Sequence, residues 1–157
     1  MLTDDIRRCM DRSVLCWLAT TGTDGFPNVS PKEVFCAHGE RTVLIANIAS
    51  PGSARNIEAH PLVCVSFIDV FVQKGHKLKG RAELITAADT RYAQCAPALE
   101  RRLQGLFQLR SIIAVEVMAT EPIIAPSYRF VLGTTEAAQI AAAMRAYGVM
   151  PRTTSPD

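Results

Sequence analysis

Apolar and polar residues alternate with a period of two over several short stretches of this chain, and with a helical period over only a few. Thr3 precedes Asp4 and Asp5, and Ile6, Cys9 and Met10 follow at helical spacing, which predicts a capped helix ending before Ser13. Residues 14–21 form a short apolar run closed by Gly22-Thr-Asp-Gly25, the pattern of a strand and a tight turn. Residues 27–36 read as one further strand, with Asn28, Ser30 and Lys32 on a single face and Pro31 marking a sheet edge or a bulge. A turn at 38–41 leads into a strand over 42–48, and the β-branched and aromatic run 62–72 predicts the strongest strand of all. Residues 76–85 alternate again, with Lys77, Lys79, Arg81 and Glu83 opposite Leu78, Gly80, Ala82 and Leu84. Beyond them, Pro97 divides a helical region into two short helices, 111–120 is a sixth strand before an irregular 121–126, and Thr134 caps a last helix stopped by Gly148.

Strands arriving in consecutive short runs, rather than alternating with long helices, predict a mainly β fold with flanking helices, an antiparallel sheet or small barrel. Composition narrows the class. With 48% apolar and 20% charged residues the chain is globular, and no uninterrupted apolar segment is long enough to span a bilayer. Its 157 residues suit a single domain over 1–150, with 151–157 as a flexible tail. The mixed charges of the first eight residues do not read as a signal peptide, and five cysteines without C-x-x-C spacing read as reduced thiols; a cytoplasmic protein is expected. A net charge of +2 with dispersed Lys and Arg points away from nucleic acid and membrane surfaces and leaves a small anionic ligand.

Candidate chemistry centres on Ile45-Ala-Asn-Ile-Ala-Ser-Pro-Gly-Ser-Ala-Arg-Asn-Ile57, where an apolar run meets a polar loop and a short helix. Ser50 and Ser53 supply hydroxyls, Gly52 allows close backbone approach, and Arg55 brings a permanent charge to a helix start, so a phosphate fits there. The plain alternative is a loop in which Ser50 or Ser53 is an N-cap. No G-x-G-x-x-G, Walker or G-x-S-x-G motif is present, and His38, His60 and His76 lack the spacing of a zinc site; no metal is expected. What remains is Lys32, the segment from Ser50 to Asn56, and a basic face beginning near Lys74.

In that order, Gly25-Phe-Pro-Asn-Val-Ser-Pro-Lys32, Leu44-Ile-Ala-Asn47, Ser53-Ala-Arg-Asn-Ile-Glu-Ala-His-Pro61 and Leu78-Lys-Gly-Arg-Ala-Glu83 resemble the flavin-binding split-barrel proteins related to pyridoxamine 5′-phosphate oxidase. The resemblance implies a six-stranded antiparallel split β-barrel that forms a homodimer and binds FMN between subunits. It implies Lys32 near the flavin or a substrate, contacts from Ala46 and Asn47, Ser50, Ser53 and Arg55 with Asn56 around the phosphate, and Gln73 or Lys74 approaching from the next strands. The expected function is that of an FMN-dependent oxidoreductase acting on a small-molecule substrate or electron donor. The alternatives are a flavin-binding or sensing module without turnover, and a deazaflavin- or haem-binding relative. Two departures argue against vitamin B6 oxidation: Gly52 and Ser53 stand where the oxidase has a basic pair, and 128–157 holds no counterpart of its carboxy-terminal site residues.

Overall fold

The computed structural model describes residues 1–151, so the tail expected at the carboxy terminus lies, past Pro151, outside the described residues. The elements are α1 (Asp4–Arg12), β1 (Cys16–Thr21), β2 (Pro27–Lys32), β3 (Phe35–His38), β4 (Thr42–Asn47), α2 (Pro51–Ala59), β5 (Leu62–Asp69), β6 (Lys74–Ile85), α3 (Tyr92–Leu103), β7 (Ser111–Ile124), α4 (Ser127–Phe130) and α5 (Glu136–Tyr147). The seven strands pair antiparallel in the order β2-β1-β5-β6-β7-β4-β3, a curled sheet of the split-barrel kind. No helix among the described residues is long and apolar enough to cross a membrane.

The strand count exceeds the expected six because the run 27–36 is two strands. Its first half pairs with β1 at one edge of the sheet, and its second half pairs with β4 at the other. The Val34 carbonyl accepts a hydrogen bond from the Ala46 N–H at 2.9 Å, one rung before Phe35, so the chain has already taken up its new partner β4 two residues after Lys32. Alternation continues through a change of partner, so the sequence pattern does not register it. Pro31, without a donor, sits on the edge strand β2 opposite Trp17, where the ladder loses little.

The inward faces of β1, β4, β5, β6 and β7 bring together Leu18, Val43, Ile45, Val65, Phe67, Leu78, Ile113 and Val115, and Ile6, Cys9 and Met10 of α1 join that cluster. A second cluster holds α3 against the sheet through Cys95, Ala96 and Leu99, packed with Leu44, Ala46, Ile85 and Ile112. That packing explains why α3 runs unbroken past Pro97 where two helices are expected: the proline, sixth of twelve residues, costs the helix one internal N–H bond, and four buried residues hold it against the sheet.

Other boundaries shift for local reasons. β5 ends at Asp69, not residue 72, because the Asp69 carboxylate accepts from the N–H groups of Phe71 and Val72, both at 3.1 Å, and turns the chain. β7 continues to Ile124, since β6 pairs with it as far as Lys74. The last helix is capped by Thr135, whose hydroxyl accepts from Ala138 N–H, rather than by Thr134. α2 begins at Pro51, earlier than the expected start at residue 55, with the proline in the first turn where its missing donor is harmless.

Glycine packing gives a stability test. A β-carbon on buried Gly80, at the irregularity between β6 and β7, would run into the Glu116 carbonyl, whereas one on Gly52 would meet nothing within 4 Å. Gly80→Ala is therefore expected to destabilise the fold by about 1–3 kcal/mol through overpacking. Gly52→Ala, in a helix at an unstrained position, should stabilise it by about 0.4–1 kcal/mol. Urea unfolding of the two variants checks both signs.

Candidate functional site

Three features of the sequence bring α2 to the mouth of the barrel. Ile57 belongs to the barrel cluster and fixes which side of the helix faces inward, and Ser53, one turn earlier, is buried with it. Asn56 then donates through Nδ2 to the Thr20 hydroxyl at 2.9 Å. Thr20 accepts a second bond, at 3.2 Å, from Nδ2 of Asn28, so this one hydroxyl ties α2 to β1 and β2.

The polar stripe of β2 faces this helix. Asn28 lies opposite Thr20 and Lys32 opposite Cys16, with the stripe pointing the same way as the inward residues of β1. Lys32 is only 5% exposed, and its ammonium donates to the hydroxyl of Ser50, the N-cap of α2. Among the described residues no carboxylate lies within ion-pair distance of it. Burial holds Lys32 below the usual lysine range, and the same burial pushes the neighbouring Cys16 thiol up to about 12, which leaves that thiol neutral. Between the lowered Lys32 value and the unfolded one the native chain binds fewer protons than the unfolded chain, so stability rises with pH across that window.

Ser50 makes no side-chain cap on its own helix, and the first bond within α2 runs from Ala54 N–H to Ser50 carbonyl at 3.2 Å. The N–H groups of Gly52 and Ser53 precede that bond and point out of the helix start, beside the open space at Gly52. Arg55 follows one turn later, exposed, with a side chain that leans toward the helix start as helical side chains do. Asn47, at the end of β4 and 8% exposed, donates to Ser111 Oγ at 2.9 Å, and its Oδ1 is the one buried side-chain polar atom without a partner among the described residues. Such an atom is unfavourable unless a donor reaches it.

The structure brings Lys32 to Ser50 at the start of α2, with Ser53 buried on the inward side of that helix, Arg55 exposed on it, and Asn47 on the strand that leads there. The Ala46 N–H is used in the β3–β4 ladder, and one N–H of the Asn56 amide in anchoring the helix. Gln73 and Lys74 lie elsewhere. Lys74 pairs with Asp69 and Ile124 at one end of β6, while the Ile85 end meets Ile112, next to Ser111 and Asn47. Lys74 is held by Glu136 of α5 at 2.8 Å and lies 4.3 Å from the centre of the Tyr128 ring; the Gln73 side-chain carbonyl accepts from Gln139. Thr20 and Ser111 were not singled out by sequence reasoning. A hydroxyl at an inward position of the apolar β1 is the signal that marks Thr20.

A curled antiparallel sheet with a polar helix start at its mouth defines a protein of the split-barrel class. The profile of the pyridoxamine 5′-phosphate oxidase family matches residues 2–140, and the chain belongs to that family. Among curated proteins, none matches the chain. Solved structures share the fold. An FMN-binding protein from Syntrophomonas wolfei is 12% identical with a TM-score of 0.67, the alignment covering 79% of this chain and 87% of that one. HutZ, the haem storage protein from Vibrio cholerae, is 19% identical with a TM-score of 0.62, over 78% and 94% of the two chains. An F420 reductase is 22% identical with a TM-score of 0.58, over 76% and 98%.

The anchoring of α2 is testable apart from any ligand. Thr20→Val keeps the shape and leaves the Asn28 and Asn56 amides without their acceptor. Because both amides reach water, the expected loss is about 1 kcal/mol, at the low end for a broken hydrogen bond. Hydrogen exchange in α2 should quicken, and unchanged exchange there would show that the helix is held by Ile57 alone.

Proposed function

We propose that this protein binds FMN and acts as a flavin-dependent oxidoreductase on a small molecule, with the cofactor phosphate at the start of α2. The observation that carries this reading is the helix start itself, where the N–H groups of Gly52 and Ser53 are uncapped and Arg55 stands one turn away. Family membership supplies the class of ligand. Asn47 Oδ1, buried and unpartnered, suits a hydroxyl or N–H donor of the cofactor.

Bound FMN supplies the acceptance and return of a hydride or of electrons. The chain's own part is to bind and orient: α2 offers donors to an anion, Asn47 an acceptor to a hydroxyl or N–H, and the barrel an apolar floor. The protein works as a homodimer in this reading, because Trp17, Leu62 and Met118 leave apolar surface on the outer face of the sheet at 41%, 62% and 66% exposure. Its setting is the cytoplasm.

Purified protein is expected to show the two-banded absorbance of oxidised flavin, with FMN identified by mass spectrometry of the released ligand. A haem or deazaflavin spectrum selects the corresponding relative, and bound FMN without turnover of any electron donor selects the non-catalytic module. Arg55→Ala should weaken FMN by about ten- to a hundredfold, the loss of a charge-assisted hydrogen bond of about 1.5–3 kcal/mol. An unchanged FMN titration in the folded variant removes Arg55 from the site. Light scattering should find a dimer, and a stable monomer with full FMN affinity overturns that assembly.

A further inference from the structure

We infer that α4 and α5 form a strap that opens as one unit from a barrel that stays folded, and that its opening releases the turn between β5 and β6.

The strap is docked by little apolar burial. α1 buries Ile6, Cys9 and Met10 out of nine residues, whereas α5 buries Ala143 alone out of twelve and α4 buries none of its four. Among the described residues, the core clusters include none from either helix. Ile68, Val70, Ile124, Ala143 and Tyr147 line a cleft of about 430 Å³ between α5 and the sheet, so the two surfaces are not closely packed. Helices of twelve residues are marginal in water on their own, and α5 therefore depends on what holds it.

What holds it is mostly polar and gathers at one place. Glu136 pairs with Lys74 at 2.8 Å with both side chains exposed, and the Lys74 ammonium lies 4.3 Å from the centre of the Tyr128 ring. The Tyr128 hydroxyl donates to the Val72 carbonyl at 2.8 Å, Gln139 donates to the Gln73 side chain at 3.2 Å, and the Tyr147 ring meets Phe71 edge-on. These contacts fall on four successive residues, 71–74. Gln139 also donates to Ser127 Oγ at 2.7 Å, which ties α4 to α5 and makes the two move together. Exposed pairs and solvent-reached hydrogen bonds are each worth little, so lifting the strap costs less than unfolding the strands beneath it.

The turn is coupled to the strap through Gln73, held at φ 59° in the left-handed region that residues other than glycine resist. Its carbonyl accepts from the N–H of Ala125, the residue before the Pro126 N-cap of α4, and its side chain accepts from Gln139. With the strap lifted, Val72, Gln73 and Lys74 lose their side-chain partners together.

Hydrogen exchange read by NMR on the full chain tests this in wild type, Glu136→Gln and Tyr128→Phe. In wild type the amides of α5 should share one protection level with those of Phe71, Val72 and Gln73, all bonded to Asp69, and that level should lie well below that of β1 and β4. Glu136→Gln should speed exchange in both regions by about two- to fivefold, and Tyr128→Phe by about two- to tenfold, with α1, β1 and β4 unchanged. Added salt should speed both regions in wild type and not in Glu136→Gln. Protection of α5 equal to that of β4 would make the helix part of the cooperative core and overturn the proposal. So would faster exchange in α5 with the turn unmoved, the mark of simple helix fraying, or variants that leave both regions as they were.

Discussion

The geometry of this protein depends on one crossing, at Glu33 and Val34, where the chain leaves one edge of the sheet and joins the other. The hydrogen bond from Ala46 N–H to the Val34 carbonyl carries the β3–β4 ladder one rung beyond Phe35, so the change of partner is complete at Val34. Were the strand 27–36 continuous, Lys32 would sit on an open edge, where a lysine is solvated and unremarked. Because the chain leaves β1 for β4 at that point, the end of β2 lies against the loop that follows β4, and Lys32 reaches the N-cap of α2. The change of strand partner and the approach of Lys32 to α2 are thus consequences of the same backbone event.

α2 is the other half of the arrangement, and it is held at two levels. Ile57 inserts into the barrel cluster, an apolar contact that fixes the facing of the helix but not its direction along the mouth. The Thr20 hydroxyl, with donors from both Asn28 and Asn56, adds direction. Apolar burial supplies most of the energy here, and the polar bonds select one placement among several that would bury similar area.

Much of this was legible in the sequence, for reasons that can be named. Periodicity of two found most of the strands, the resemblance in motif order gave the split barrel, and Thr3, Ser50 and Gly148 marked helix ends that the structure has. The alternation Asn28, Ser30, Lys32 gave the right face of β2 but could not give depth: Asn28 stays exposed and Ser30 half-buried, and only Lys32, where it meets the start of α2, is buried. Gln73 and Lys74 failed as neighbours of the other site residues for a related reason. Sequence order placed them on the next strands, while the register of β6 carries them to its far end, against α5. Which residues close a sheet, and which helix covers its mouth, are decided by contacts between distant segments that no local pattern records.

The carboxy-terminal segment has a consequence of its own. The Tyr128 hydroxyl donates to the Val72 carbonyl at 2.8 Å, Gln139 reaches Gln73, and Glu136 holds Lys74, contacts that span 56, 66 and 62 residues. Gln73 meanwhile adopts a left-handed conformation, φ 59°, that residues other than glycine resist. The turn between β5 and β6 is thereby completed by α4 and α5, segments translated more than fifty residues after it. During synthesis the hairpin is translated early and latched late, so its strained tip waits for partners that arrive only with the carboxy-terminal helices.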